Sequence, residues 1–208
     1  MLLSPVEVRV LGSLMEKKYA TPEYYPMSIN SLTAACNQKS SREPVTDYSE
    51  QTVEACVENL NDKRLVTRVS GAGLKVIKYK EFLCERLAIS QPEAAVLTVL
   101  MLRGEQTVGE IKTRCDRIYS FADIEEADSV IEKMMNREEP LVTQVPGTHG
   151  RSRKFIHLFY GNPEVSSNGE IVEVSFRTPL EEEVEKLKAE VENLKSEIAE
   201  IKRELGLS

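Results

Sequence analysis

Cysteine and histidine are the residue types in this chain most suited to metal binding or nucleophilic chemistry, and their spacing argues against both uses. The 208 residues include four cysteines and two histidines. No two cysteines form a Cys-x-x-Cys pair, and both histidines lie far from the cysteines in sequence, whereas zinc sites usually need closely spaced ligands. The spacing predicts no metal site. The four cysteines are Cys36, Cys56, Cys84 and Cys115, and at least three of them are predicted to pack on apolar faces of helices.

The sequence also predicts no catalytic site. A histidine-centred triad would have to use His149 or His157, and neither stands in a nucleophile motif. His157 alternates with Phe155 and Phe159, which is typical of a residue packed on a strand. No glycine-rich phosphate loop is present. We therefore expect no enzyme activity, no cofactor and no small-molecule substrate.

A polar stretch from Asn30 to Pro44 contains the residue types of a phosphate-binding loop. It carries Lys39 and Arg42 and connects two predicted helices. Together with the N-terminus of the following helix, these two cations could hold a phosphate of nucleic acid. The alternative is a polar loop that is satisfied by its own turn hydrogen bonds. The sequence leaves both interpretations open.

Basic side chains also occur in two predicted β-hairpins, which form a second candidate surface for nucleic acid. A basic hairpin can contact the phosphate backbone or the minor groove. Solvated surface charge is the alternative interpretation. The first hairpin carries Arg68, Lys75, Lys78 and Lys80, and the second carries Arg151, Arg153 and Lys154.

The helix that precedes each hairpin is acidic on its predicted exposed face, which argues against base readout by these helices. Carboxylates on such a face oppose phosphates and weaken the usual electrostatic attraction. The first of these helices exposes Glu50, Glu54, Glu58 and Asp62. The second exposes Asp123, Glu125, Glu126, Asp128 and Glu132.

The helices themselves are marked by a repeated opening signal. Ser4-Pro5-Val6-Glu7 and Ser90-Gln91-Pro92-Glu93 are both capping boxes, about 86 residues apart. They predict helices over residues 6–18 and 92–103. Ser28, Ser49, Thr107 and Asp123 are predicted to cap the other helices. A signal repeated at this distance indicates an internal duplication.

Each repeat reads as three helices followed by a two-stranded hairpin, which is the order of a winged helix. The strands are predicted at Leu65–Val69, Leu74–Tyr79, Leu141–Val145 and Lys154–Tyr160. The predicted fold is α+β and mostly helical, with two tandem winged-helix domains and a C-terminal coiled-coil helix. We place the first repeat at residues 1–85, the second repeat at 86–161, a linker with a short strand at 162–178, and the coiled coil at 179–208.

The C-terminal segment has an unbroken heptad pattern over four heptads, which predicts a homodimeric coiled coil. Lysines at e and glutamates at g pair only in a parallel arrangement, although isoleucine at one d position leaves a trimer open. A helix packed on its own chain is the alternative. The a positions are Val184, Val191, Ile198 and Leu205, and the d positions are Leu180, Leu187, Leu194 and Ile201.

The net charge of −7 is concentrated in the last part of the chain. Residues 161–208 hold 12 acidic and 6 basic side chains, whereas residues 1–85 hold 11 of each. The acidity therefore does not exclude binding of a polyanion by the repeats. The sequence shows no secretory signal pattern and no apolar run long enough for a membrane span, which predicts a cytoplasmic protein.

Several segments of the two repeats resemble the YceH family of uncharacterised bacterial proteins. The resemblance covers about residues 4–161 and implies tandem winged-helix domains, with a charged C-terminal helix in some members. Because the activity of that family is unassigned, the resemblance implies no functional residues. The segments that carry it are Thr21–Asn30, Ala35–Lys39, Arg42–Val45, Leu102–Gly104 with Thr107, Gly109 and Glu110, and His157–Phe159 with Gly161.

Two functions are consistent with these patterns. The first is weak or hairpin-mediated nucleic-acid binding of a regulatory kind. The second is a protein-interaction scaffold, in which the acidic third helices dock a partner, as tandem winged-helix chromosome-segregation proteins do.

Overall fold

A computed structural model describes residues 1–69, 76–150 and 153–161, together with the backbone of 164–165 and 171–172. The described residues form an α+β fold of seven α-helices and small antiparallel sheets. The helices are α1 (Pro5–Ala20), α2 (Ile29–Cys36), α3 (Glu50–Asp62), α4 (Leu83–Arg86), α5 (Gln91–Arg103), α6 (Val108–Cys115) and α7 (Ile124–Met135). The strands are β1 (Val66–Val69), β2 (Lys78–Glu81), β3 (Gln106–Thr107), β4 (Val142–Gln144), β5 (Lys154–His157), β6 (Glu164–Val165) and β7 (Ile171–Val172).

The helix starts follow the capping residues in the sequence. The Glu7 amide donates to the Ser4 hydroxyl at 3.3 Å, while the Ser4 amide donates to the Glu7 carboxylate at 2.8 Å. Thr107 and Glu110 form the same reciprocal pair at the start of α6. The capping predictions are confirmed at these positions because they depend only on residues three apart.

The strands differ from the sequence-based bounds. β2 begins at Lys78 and ends at Glu81, so the predicted strand Leu74–Tyr79 was placed too early. β5 ends at His157, and the remainder of the predicted strand is a 3-10 helix over Leu158–Tyr160. Between α1 and α2, the chain forms a 3-10 helix at Pro22–Tyr24.

A short extended segment before the second helix of each repeat joins the paired strands. In the first repeat, Met27 exchanges two backbone hydrogen bonds with Tyr79, at 3.1 and 2.7 Å. In the second repeat, β3 pairs antiparallel with β5, so the sheet order is β3-β5-β4. The sequence analysis did not predict these pairings, because a one- or two-residue strand has no periodicity of its own.

The first helices of the two repeats pack against each other. Both helices are buried through their central turns, and their side chains belong to one continuous hydrophobic core. Gly12 allows the close approach: a Cβ atom there would lie 3.0 Å from Leu102 Cδ2 and 3.2 Å from Met101 Cβ. These distances are shorter than ordinary van der Waals contact, so any larger residue at this point would force Leu102 or Met101 to shift.

The described residues all belong to one compact unit, Met1–Val174. Within the segment predicted as a linker, β6 pairs antiparallel with β7. The predicted coiled coil at residues 179–208, including all eight of its a and d positions, lies outside the described residues.

Candidate nucleic-acid interface

The sequence predicted Arg42 as a phosphate ligand, and its environment in the structure differs clearly from that expectation. Its side chain is fully buried. The guanidinium forms two hydrogen bonds to the Glu16 carboxylate, at 2.7 and 3.2 Å, and two more to the Ala35 carbonyl. It also donates to Gln38 Oε1 at 2.9 Å. Since these donors are all used inside the fold, Arg42 is not available to a phosphate.

The rest of this loop is satisfied internally as well. Arg9 is buried on α1 and donates to the Pro44 carbonyl at 2.6 Å and to the Cys36 carbonyl at 3.2 Å. The Asn37 amide group bridges Tyr48 by donating to its carbonyl and accepting from its amide. Lys39 is exposed, and no described residue pairs with it. The geometry therefore favours the alternative interpretation, a polar loop that is held by its own hydrogen bonds.

The electrostatics of Glu16 agree with this picture. Burial alone would raise the pKa of the Glu16 carboxyl, but the hydrogen bonds and charge of Arg42 hold it below its usual value. A buried arginine that is paired in this way holds the loop in place. The loop does not present the arginine to solvent or to a ligand.

In the first predicted hairpin, the arginine is neutralised by the helix before it. Arg68 on β1 forms an ion pair with Glu58 of α3. Lys78 and Lys80 on β2 are half-buried and form no ion pair with the described residues. Lys75 lies outside the described residues. The described cations of this hairpin are therefore one paired arginine and two half-buried lysines.

The second predicted hairpin repeats the arrangement. Arg153 donates to both carboxylate oxygens of Asp128 at 2.9 Å and forms an ion pair with Glu132 at 3.3 Å, both on α7. Its guanidinium also lies 5.4 Å from the centre of the Phe155 ring. Lys154 pairs with Glu105 at 2.7 Å, and this hydrogen bond raises the pKa of the lysine. Arg151 lies outside the described residues.

These ion pairs also use part of the acidic faces of α3 and α7. Glu58, Asp128 and Glu132 bind the hairpin arginines. Glu126, predicted as exposed, is half-buried and accepts from the Tyr119 hydroxyl at 2.8 Å and from the Ala122 amide at 2.7 Å. Four acidic residues remain exposed without an ion pair among the described residues: Glu54, Asp62, Asp123 and Glu125. Glu50 is exposed too, and it accepts a hydrogen bond from Asn30 at 2.8 Å.

The cysteines and the buried histidine occupy packed positions. All four thiols are free and buried. Burial raises the pKa of Cys36 to about 11 and of Cys84 and Cys115 to about 12, and it raises the pKa of Cys56 as well. Such thiols are poor nucleophiles near neutral pH. No group of three metal-ligating side chains occurs among the described residues.

The sequence analysis missed one concave site. A cavity of about 280 Å³ is lined by three arginines from α5, the last turn of α6 and the residues after it: Arg103, Arg114 and Arg117. The spacing of Arg114 and Arg117 is visible in the sequence. Their approach to Arg103 is not, because it depends on the packing of α5 against α6.

No helix among the described residues is long and apolar enough to cross a membrane.

Residues 3–151 match the family model described as "Protein of unknown function, DUF480". The chain is 46% identical over 158 residues to a UPF0502 protein of Shewanella baltica, covering 74% of this chain and 71% of the relative. It is 45% identical over 167 residues to a UPF0502 protein of Geobacter sulfurreducens, covering 80% of this chain and 76% of the relative. These matches confirm the resemblance to the YceH family.

Proposed function

The chain belongs to the DUF480 family of proteins of unknown function, and we propose that it is a non-enzymatic scaffold that binds a basic protein partner through the acidic faces of α3 and α7. In this proposal it is a cytoplasmic tandem winged-helix protein, and residues 179–208 form a parallel homodimeric coiled coil.

The order and pairing of the elements support the winged-helix assignment. In each repeat, three helices precede a pair of antiparallel strands, β1 with β2 and β4 with β5. In each repeat, a short extended segment before the second helix joins those strands. The two repeats share these features although their sequences in the strands differ.

The observation that carries the scaffold proposal is the neutralisation of a hairpin arginine in both repeats. Arg68 pairs with Glu58 in the first repeat, and Arg153 pairs with Asp128 and Glu132 in the second. Nucleic-acid affinity depends on cations that replace the counterions of phosphates. An arginine that already has a carboxylate partner contributes less, because that ion pair must be broken or shared when the phosphate binds.

The carboxylates that remain exposed give α3 and α7 an acidic surface. Glu54 and Asp62 on α3, and Glu125 in the first turn of α7, have no ion pair with the described residues. A surface of this kind attracts a basic protein surface and repels a nucleic-acid backbone. The geometry therefore supports the scaffold better than nucleic-acid binding.

Nucleic-acid binding is kept as a second candidate because of three lysines. Lys39, Lys78 and Lys80 form no ion pair with the described residues. These three cations could contact the backbone of a duplex while the acidic helices point elsewhere.

The two candidates predict opposite responses in a pair of assays. In the first assay, a tagged full-length chain captures partners from a bacterial lysate, and the partners are identified by mass spectrometry. We expect a basic partner that is lost on Glu50→Gln with Glu54→Gln and retained on the matched control, Glu23→Gln with Glu85→Gln. The control removes two exposed carboxylates that lie outside α3 and α7.

In the second assay, the anisotropy of a labelled generic duplex is measured at about 50 mM salt, where backbone contacts are strong. The scaffold proposal predicts no detectable binding. Nucleic-acid binding predicts a complex that is weakened by Lys39→Ala, Lys78→Ala and Lys80→Ala together. The slope of log K against log salt would then become shallower by up to about 3. That second pattern would contradict the scaffold proposal.

The dimer is tested by sedimentation of the full chain. Lys188, Lys195 and Lys202 occupy e positions opposite glutamates at g in a parallel pair. Replacing all three with glutamate places like charges across the seam and should dissociate the dimer. A dimer that withstands this change would contradict the parallel pairing.

A further inference from the structure

The cavity that contains the three arginines lies where both repeats contribute to its wall. Arg103 ends α5, Arg114 lies in the last turn of α6, and Arg117 follows α6. Glu16 of α1 and Ser41 of the loop between α2 and α3 close the other side. The Glu43 amide donates to the Leu102 carbonyl at 2.8 Å, which fixes this loop against the end of α5.

The arginines have a surplus of positive charge. Arg103 and Arg117 form no ion pair with the described residues, and Arg114 pairs only with Glu110, at 3.4 Å. Two carboxylates, Glu16 and Asp116, also lie in the wall and offset part of this charge. Glu16 binds Arg42, and Asp116 accepts a hydrogen bond from the Ser120 hydroxyl at 3.3 Å.

Mutual repulsion agrees with an anion-binding role. The pKa of Arg103 is lowered by burial first, and then by the charges of Arg114 and Arg42, while Glu16 and Glu43 oppose the change. Arg114 and Arg42 therefore lie close enough to repel Arg103, and the nearby carboxylates of Glu16 and Glu43 offset that repulsion in part. An oxyanion in the cavity would remove that repulsion and would accept the bidentate hydrogen bonds that guanidinium groups offer.

A simpler explanation for two of these arginines is that they complement the C-terminal dipoles of their helices. It accounts for Arg103 and Arg114, which lie in the last turns of α5 and α6. It does not account for Arg117, which lies beyond the helix, or for the convergence of residues from α5 and α6 on one concavity.

The floor of the cavity is apolar. Val99 and Leu102 of α5 and Ile118 line it together with the arginines. The volume of about 280 Å³ is near the lower end of the roughly 300–1,000 Å³ that is usual for small-molecule sites. A ligand with a charged group and a compact apolar group matches this combination of lining and size.

We propose that this cavity binds a small organic phosphate, with the phosphate oxygens on Arg103, Arg114 and Arg117 and the organic group on Val99, Leu102 and Ile118. The sequence analysis predicted no small-molecule substrate, so this proposal goes beyond what the sequence indicated. It is independent of the scaffold proposal, because no residue of α3 or α7 lines the cavity.

Isothermal titration of the full chain tests the site with three probes. Phenyl phosphate carries both the anion and a planar apolar group, inorganic phosphate carries only the anion, and phenol carries only the apolar group. We expect phenyl phosphate to bind about tenfold or more tightly than inorganic phosphate, because the apolar floor covers its ring. Phenol should show no binding. Equal affinities for the two phosphates would overturn the proposal.

Substitutions locate the binding. Arg103→Gln should weaken phenyl phosphate binding by about tenfold or more, since it removes a charge-assisted contact. Arg117→Gln is the second variant, and it should fold normally because Arg117 is exposed. Arg64→Gln is the matched control, an exposed arginine that does not line the cavity. A loss of affinity in the control as large as in Arg117→Gln, or no binding of phenyl phosphate at about 10 mM, would overturn the proposal.

Discussion

The two repeats restrain the connection between their second and third helices in different ways. In the first repeat, Arg9 and Arg42 are buried and donate to the carbonyls of Cys36, Pro44 and Ala35. The second repeat has no buried arginine in its described residues. The connection is therefore stabilised by buried arginines in the first repeat and by a different kind of contact in the second.

In the second repeat, that contact is an aromatic side chain. Phe121 is 2% exposed and packs edge-on against Tyr119, with ring centres 4.9 Å apart. Glu126 then accepts hydrogen bonds from Tyr119 and Ala122 at the surface. A short connection can place one aromatic ring in the core, whereas the longer loop of the first repeat needs donors for its interior carbonyls.

The two hairpins also differ at one equivalent position, which is the last residue of the second strand. Val66 is opposite Glu81 in the first repeat, and Val142 is opposite His157 in the second. Glu81 is 1% exposed and pairs with Lys18 at 2.6 Å. His157 is 2% exposed, and burial lowers its pKa to about 4. The paired Glu81 carboxylate of the first repeat is therefore replaced in the second repeat by His157, a buried side chain that stays neutral at neutral pH.

Among the variants that test the comparison of the two repeats, Arg42→Ala should have the largest effect on stability. It removes the Arg42 donors from the Ala35 carbonyl and from the Glu16 carboxylate, which keeps only Lys17 at 3.4 Å, so we expect a loss of about 3–5 kcal/mol in the free energy of unfolding. Urea denaturation measures it. Glu16→Gln should recover part of the loss in the Arg42→Ala background, because it removes the uncompensated charge.

Two matched variants sharpen that result. Phe121→Ala should cost about 3–5 kcal/mol through lost packing, and Glu16→Gln should give it no recovery. Lys39→Ala, in the same loop as Arg42 but exposed, should stay within about 0.5 kcal/mol of the wild type. Equal recovery of both large-effect variants by Glu16→Gln would mean that the two connections are held by the same kind of contact.

His157→Gln should give the next largest effect, and its signature is a change in how stability depends on pH in acid. The unfolded chain takes up a proton at His157 near pH 6.5, while the folded chain does so only near pH 4. The neutral folded state is therefore destabilised as the pH falls between these values, by up to about 3 kcal/mol in all. Above pH 6.5 His157 is neutral in both the folded and the unfolded chain, so none of this stability is lost. Denaturation of both proteins at several pH values measures the difference.

The wild type should lose more stability than His157→Gln between pH 7 and 4.5, and the exposed His149→Gln should follow the wild type. Stability curves that remain parallel for the wild type and His157→Gln would show that His157 is not the acid-sensitive group. The burial of His157 in place of Glu81 would then have no effect on how stability depends on pH.

The sequence predicted the features that depend on near neighbours. Ser4 and Thr107 form capping boxes because the partner is three residues away. The burial of Arg42 was not predicted, because its partner Glu16 lies 26 residues earlier in the chain. The loop therefore looked like a phosphate site, although its composition equally fits a loop that is satisfied from within. The arginine cavity was missed for the same reason, since it exists only after α5 and α6 have packed.

Gly12 has a consequence for modularity. Two packed units can be separated without a large loss of stability only where each unit covers its own apolar side chains. Here the two copies are joined at a point where neither helix surface is finished: α1 lacks a side chain at Gly12, and Leu102 of α5 fills that space. The two repeats should therefore unfold together, because separating α1 from α5 would expose the buried apolar side chains of both helices to water.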